Sequence, residues 1–176
     1  MRKTSLLLII TAGIWAFSSR KGRSWFPGFP TKADSKYQDV MALPDGINVT
    51  HIPQRVAAMR GGVSGHPFTW LYGTSIRSTV GDLTIIEFGA FGEHRGKWVL
   101  DTQTDKPFTA AHFAEWYSCS NAKLIGGLKY TDPRNWNAGD AIHESSVLWY
   151  FIGEDSQGRK FKGISQVDTL AKTKDK

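Results

Sequence analysis

The chain has few of the residues that build disulfide frameworks and cofactor motifs. Cys119 is the only cysteine among 176 residues, so no intramolecular disulfide can form, which fits a bacterial extracytoplasmic protein better than a small bridged one. Gly89, Gly92 and Gly96 lie in a hairpin pattern and not at a strand-to-helix turn, which gives nucleotide binding no support. No catalytic signature is visible. The sequence therefore favours a protein without enzymatic activity.

A long apolar run is also missing. The one candidate covers residues 6–17, whereas a membrane-spanning helix needs roughly 20 apolar residues. Basic residues precede this run and a basic cluster follows it at residues 20–23, a pattern typical of an export signal. Small residues favour cleavage after Ser18, whereas the basic cluster favours retention. Residues 1–19 are predicted to be a signal peptide or an N-terminal membrane anchor. The protein is predicted to be extracytoplasmic, periplasmic or secreted, with residues 5–19 as the anchor if they are retained.

The net charge of +6 is confined to the N-terminal part of the chain. Residues 20–66 carry seven Lys or Arg against three Asp, whereas residues 67–176 carry thirteen charges of each sign. A nucleic-acid-binding domain would need basic residues across its folded surface, so nucleic acid is not expected as a partner. An N-terminal excess of positive charge instead suits a segment that lies near anionic lipid headgroups.

Residues 20–66 combine positive charge with aromatic, proline and glycine residues. Prolines at 27 and 30 prevent a regular helix or a central strand there, and only residues 54–60 are predicted to form a short helix. We expect a basic extended arm that contacts a protein partner, an anionic membrane surface or both. The contact residues predicted for this arm are Arg20, Lys21, Arg23, Trp25, Phe26 and Phe29.

Residues 67–170 are predicted to form a β-rich globular domain. Strand patterns joined by turns indicate hairpins over residues 82–100 and 145–167, and helical spacing indicates one helix over residues 109–118. The predicted fold is mainly β, an antiparallel β-sandwich or partly open barrel with one short helix. The alternative is an α+β arrangement in which the helix packs on a curved antiparallel sheet. Residues 171–176 are predicted to be a flexible tail.

Two adjacent aromatic residues test whether one or both faces of this sheet are covered. Trp149 and Tyr150 are neighbours in a predicted strand, so their side chains point to opposite faces. They cannot both lie in one simple core. We expect one of them to pack against a second layer, an interface or a ligand.

Four residues carry the side chains that zinc or copper prefers. His112, Glu115 and Cys119 are spaced three and four apart, so a helix that extended through Cys119 would place all three on one face. His143 could complete the set in space. The spacing matches no established metal motif, however, and a buried cysteine and hydrogen-bonded histidines explain the same residues. We therefore expect no cofactor, and copper and zinc are the only candidates for one.

A second candidate site lies in residues 130–140, which are predicted to be a polar loop. Asp132, Arg134, Trp136 and Asp140 can bind a sugar or a peptide by stacking and by paired hydrogen bonds. The alternative is a turn in which Trp136 folds back onto the core. No residue is predicted to be catalytic.

Together, these patterns predict a non-enzymatic, extracytoplasmic, membrane-associated binding protein. An accessory subunit of a membrane protein complex is its most concrete form. A periplasmic copper- or zinc-binding protein is one alternative, and a secreted carbohydrate-binding module or hydrolase is the other.

Overall fold

The computed structural model describes residues 32–61 and 65–174. They form a mainly β protein whose sheet curls into an open half-barrel. The strands are β1 (Ile47–Ile52), β2 (Arg55–Arg60), β3 (Phe68–Ser78), β4 (Leu83–His94), β5 (Lys97–Leu100), β6 (Phe108–Thr109), β7 (Lys123–Leu124), β8 (Lys129–Gly139), β9 (Ser145–Glu154) and β10 (Lys160–Thr173). The helices are α1 (Lys32–Met41) and α2 (Ala110–Trp116), and a 3₁₀ turn covers Ser120–Ala122. The predicted partly open barrel is confirmed, with two short helices instead of one.

The sheet runs from β8 at one edge to β5, β6 and β7 at the other. Strand β3 pairs with β8 on one side and with β1 and then β2 on the other, and β10, β9 and β4 follow. All pairs are antiparallel except β2 with β10. β8 and the β5–β7 edge therefore face each other across the open side of the half-barrel.

Strict alternation along β9 divides the sheet into an inner and an outer face. The inner-face side chains of β9 are Val147, Trp149 and Phe151, which join the larger hydrophobic cluster inside the half-barrel. The outer-face side chains are Leu148, Tyr150 and Ile152, which join a second cluster outside it. The prediction that Trp149 and Tyr150 point into different layers is confirmed.

Helix α1 covers the outer face. Val40 is fully buried in the outer cluster, and the ring of Tyr37 lies edge-on to Phe91 with centroids 5.4 Å apart and stacks on Trp98 at 6.4 Å. The helix ends at Met41, three residues before Pro44, as expected because proline cannot continue a helix. One amphipathic helix thus seals this side of the sheet.

The structure corrects the prediction of an extended arm for the described part of residues 20–66. Strands β1 and β2 belong to the sheet, and Val49 and Val56 lie in the inner core. The helix predicted over residues 54–60 is wrong, because that segment is β2 and alternates between buried and exposed positions. Pro53 ends one short strand just before the next begins, which in the sequence looks like irregular chain. Residues 20–31, which hold the predicted contact residues, lie outside the described residues.

The predicted polar loop at residues 130–140 is also wrong, because it is largely edge strand β8. Proline within a segment usually indicates a loop, and Pro133 led to the wrong prediction for this reason. An edge strand nevertheless tolerates proline, because the N–H groups on its outer side need no partner. The register between β3 and β8 shifts from Tyr72 opposite Asn135 to Thr74 opposite Asp132. This β-bulge inserts an extra residue on β8, and a bulge re-aims the side chains beside it.

Candidate ligand-binding cavity

A cavity of about 900 Å³ occupies one end of the inner face. Strands β3, β8 and β9 form one wall and the base, and helix α2 and the loop after β5 form the other wall. A volume of this size lies within the range of small-ligand sites, roughly 300–1,000 Å³. The half-barrel therefore encloses enough space for a small molecule, open to solvent on one side.

Four of the seven tryptophans line this cavity. Trp70 and Trp149 are the deepest and almost fully buried. Their indole N–H groups are already used, since Trp70 Nε1 donates to the carbonyl of Leu170 at 3.3 Å and Trp149 Nε1 donates to the hydroxyl of Tyr72 at 2.7 Å. These two residues consequently offer carbon surface, and not a hydrogen-bond donor, to a ligand.

The other two tryptophans are half-buried and come from opposite walls. Trp136 lies on β8, and Trp116 ends α2 and packs against Phe108, with ring centroids 4.8 Å apart. Helix α2 begins after its N-cap residue Thr109. Its single buried side chain, Phe113, fixes the helix on the inner core. Aromatic surface thus reaches the cavity from three sides.

One hydrogen-bond donor in the cavity wall is unused. The amide Oδ1 of Asn137 accepts a hydrogen bond from the Tyr72 hydroxyl at 3.0 Å, and that hydroxyl in turn accepts from Trp149. Burial raises the pKa of Tyr72 well above its usual value, so the phenol stays a donor. The Nδ2 group of Asn137 is buried without a hydrogen-bond partner among the described residues. Leaving such a group unpaired costs about 1–3 kcal/mol, and an acceptor brought to this point would remove that cost.

The β8 bulge fixes further polar groups of the same wall. Asp132 Oδ1 accepts a hydrogen bond from the backbone N–H of Arg134 at 2.9 Å, and Asn135 Nδ2 donates to Thr74 Oγ1 at 2.8 Å. Desolvation raises the pKa of the Asp132 carboxyl, partly opposed by the hydrogen bond from Arg134. The Arg134 side chain has no partner in the described part of the chain and also lines the cavity. Carboxylate and guanidinium are both able to make paired hydrogen bonds.

The opposite wall adds a carboxylate that sequence reasoning missed. Asp101 follows β5 directly, and its backbone N–H donates to the carbonyl of Ala90 at 2.9 Å. Desolvation raises the pKa of the Asp101 carboxyl. The charge of His94 lowers this pKa, and the charge of Asp105 raises it further. The one available signal was a run of polar residues directly after a predicted strand.

Three of the four residues predicted as a ligand site line one cavity, namely Asp132, Arg134 and Trp136. Asp140 does not line it. Its carboxylate instead accepts from, or pairs with, Nδ1 of His66 at 2.7 Å, and His66 is a lining residue. Asp140 therefore supports the rim of the cavity through another side chain.

The residues predicted as metal ligands are not brought together by α2. The helix ends at Trp116, so Cys119 lies beyond it, and its buried thiol donates to the carbonyl of Lys123 at 3.1 Å. Burial raises the pKa of this thiol, and a thiol binds metal as the thiolate. Glu115 is exposed. The one-face arrangement that depended on a longer helix is thus absent.

The two predicted histidine ligands occupy different surroundings. His112 Nδ1 accepts from the backbone N–H of Thr109 at 3.1 Å, which caps its own helix. His143 lines the cavity, where its ring meets Trp70 edge-on at 5.6 Å and its Nδ1 donates to the carbonyl of Ala141 at 2.9 Å. Within residues 32–61 and 65–174, no group of three or more His, Cys, Asp or Glu is placed to hold a metal ion. The copper or zinc site stays a prediction.

Comparison with known proteins identifies no relative of this chain. No protein family, curated protein or solved structure matches the chain. In the part of the chain that the structure describes, neither helix is long and apolar enough to cross a membrane.

Proposed function

We propose that this protein is a binding protein that takes a saccharide in the cavity of its half-barrel. The observation that carries the proposal is the presence, in one cavity, of indole surfaces on several walls and a buried, unused amide donor at Asn137. This is the carbohydrate-binding alternative among the functions that the sequence suggests, and the cavity geometry favours it over the others.

The chemistry of a sugar ring matches both features. A pyranose has an apolar face of C–H groups, which packs on tryptophan rings, and a rim of hydroxyls, which both donate and accept hydrogen bonds. Asp101 and Asp132 supply acceptors from opposite walls, and Asn137 and Arg134 supply donors. A purely apolar ligand would displace water from these groups and supply no partner for the Asn137 amide or for the carboxylate oxygens that are still free, which is costly.

The N-terminal sequence supports an extracytoplasmic setting for this binding. The apolar run at residues 6–17 and the basic cluster after it are typical of export and of membrane association. A saccharide-binding subunit of a membrane-associated complex would combine this extracytoplasmic setting with the cavity. Its contacts with a partner protein would come from residues 20–31.

A glycan array followed by calorimetric titration of the full chain tests the proposal. We expect Trp136→Ala to weaken binding of the array ligand by about tenfold or more, because an indole in a pocket is a dominant contact. Trp98→Ala is the matched control, since Trp98 lies on the outer face against Tyr37. Its affinity should equal that of the unmodified protein.

Two results would contradict the proposal. One is a protein that binds no glycan while it is folded, and the other is an equal loss of affinity in both tryptophan variants. Release of reducing sugar during the titration would instead identify a hydrolase, with Asp101 and Asp132 as the carboxyls to replace first.

A further inference from the structure

A second surface lies at the end of the half-barrel opposite the cavity. It consists of the turn between β3 and β4, residues 79–82, and the turn before β8, residues 125–128. Strand β3 carries Trp70 in the cavity and ends at Ser78 beside these turns, roughly 25 Å away along the strand. We call the two turns the distal tip.

Hydrogen bonds hold the two turns of the distal tip together. Gly127 N–H donates to the carbonyl of Ser78 at 3.2 Å, and Gly126 N–H donates to Asp82 Oδ1 at 3.0 Å. Asp82 also pairs with Lys123 at 3.2 Å. A Cβ atom at position 126 would lie 3.0 Å from the Gly81 backbone, closer than an ordinary contact, so glycine favours this close approach of the two turns. The tip is therefore a defined surface and not two independent loops.

Apolar side chains on the distal tip are exposed. Val80 is 44% exposed, Ile125 41% and Leu128 56%. They are three of the five large apolar residues that are exposed in the described part of the chain. Single exposed apolar residues are ordinary, whereas a cluster on adjoining turns marks an interaction site.

Positive charge without a counterion borders these residues. Arg77 on β3 lies directly opposite Lys129 on β8 in the strand register, and both side chains are exposed. Like charges at opposed positions are destabilising, and neither has an ion-pair partner among residues 32–61 and 65–174. The tip therefore combines aliphatic groups with an unbalanced pair of cations.

We propose that the distal tip docks on an anionic lipid bilayer. Val80, Ile125 and Leu128 enter the boundary between headgroups and acyl chains, and Arg77 and Lys129 contact anionic headgroups. A protein partner fits less well, because a stable protein interface buries about 800 Å² on each side, more than three side chains on two turns provide. Docking this way places the cavity at the end of the half-barrel that lies farther from the membrane. The proposal is independent of what the cavity binds.

An environment-sensitive fluorophore at the tip tests this directly in the full chain. Leu128→Cys is labelled with nitrobenzoxadiazole, and the matched control carries the label on Ile52→Cys, another exposed apolar position away from the tip. The buried Cys119, whose thiol pKa is raised by burial, should not take the label. Mixed phosphatidylglycerol and phosphatidylcholine vesicles should give a blue shift and brighter emission for the label at 128 and leave the label at 52 unchanged.

The two-site readout separates tip insertion from membrane binding by the N-terminal segment. If only that segment binds, the protein sediments with vesicles but the label at 128 does not shift, which overturns the proposal. Equal shifts at both positions overturn it as well. A shift at 128 caused by lipid-free membrane proteins, and not by vesicles, would replace the lipid surface with a protein partner.

The charged pair has its own test on the same vesicles. The double variant Arg77→Gln with Lys129→Gln should need roughly thirtyfold more anionic lipid for the half-maximal shift of the label at 128. The double variant Lys97→Gln with Lys172→Gln removes two exposed lysines at the other end of the sheet as a control and should behave like the parent. Identical lipid requirements in both double variants would contradict a role for the cation pair.

Discussion

The inner and outer faces of the same sheet are covered differently. On the outer face, α1 buries Val40 and places Tyr37 between Phe91 and Trp98. On the inner face, stacked aromatic rings fill one end, as in the pair Phe88 and Phe151 at 5.4 Å, whereas the other end is left as the cavity. The outer face therefore serves mainly stability, and the inner face divides its area between a core and a site. Variants on the two faces should therefore separate effects on stability from effects on ligand affinity.

The largest expected effect is on the outer face. Val40→Asp would place an unpaired charge under α1 and should lower the free energy of unfolding by on the order of 3 kcal/mol or more. Denaturant titration measures this, with Gln38→Asp, an exposed position of the same helix, as the control. Ligand affinity of the folded fraction should not change. Equal destabilisation by both variants would mean that α1 does not seal the outer face.

The next effect is on the inner face and concerns binding alone. Asn137→Asp keeps the oxygen that accepts from Tyr72 and removes the unused Nδ2 donor. We expect about tenfold weaker saccharide binding, as for the loss of one buried hydrogen bond. Asn48→Asp, at an exposed position of β1, is the control for added charge. Unchanged affinity in Asn137→Asp would show that the free amide does not contact the ligand.

The smallest effect contrasts a carboxyl in the cavity with one outside it. Desolvation raises the pKa of Asp132 above its unfolded value. Ionisation of this group therefore lowers stability as the pH rises from the unfolded pKa through the folded pKa, and the group costs nothing below the unfolded pKa. Asp155 shows the opposite. Partial desolvation is outweighed by hydrogen bonds from Arg159 and from the backbone at 157 and 159, which lower its pKa. Its contribution to stability is thus present above the unfolded pKa and lost as pH falls through the folded one.

Thermal unfolding followed from pH 3 to pH 7 checks these signs, since unperturbed Asp titrates near 3.9. Asp132→Asn should raise the midpoint temperature of unfolding at neutral pH, and the midpoint of this variant should fall less as the pH rises. Asp155→Asn should lower the midpoint at neutral pH and have little effect at pH 3. The same sign in both variants would contradict the assigned environments.

Local pattern predicted the hairpins of the fold but not its N-terminal strands. Long runs of strand-forming residues identified β4, β9 and β10, and the adjacent Trp149 and Tyr150 indicated two covered faces. β1 and β2 were missed because each has six residues and a proline lies between them. Their strand identity depends on pairing with β3 and β10, and no short window of sequence contains that information.

The candidate site divides in the same way. Asp132, Arg134 and Trp136 were predicted together because they are close in the chain. Trp70 and Asp101 belong to the same cavity only because the strand register brings distant segments to one end of the sheet. The predicted metal cluster depended on a helix that reached Cys119, and the helix ends at Trp116.

By itself, the sequence determined the β class, the face taken by each side chain of the long strands and the N-terminal location of the excess charge, because period-two alternation and charge are local properties. The tertiary structure alone decided that the sheet curls, that a bulge on β8 turns polar groups inward and that the inner face is filled at one end only. Curvature arises from long-range register and from packing between strands far apart in the chain. The cavity is a consequence of that curvature.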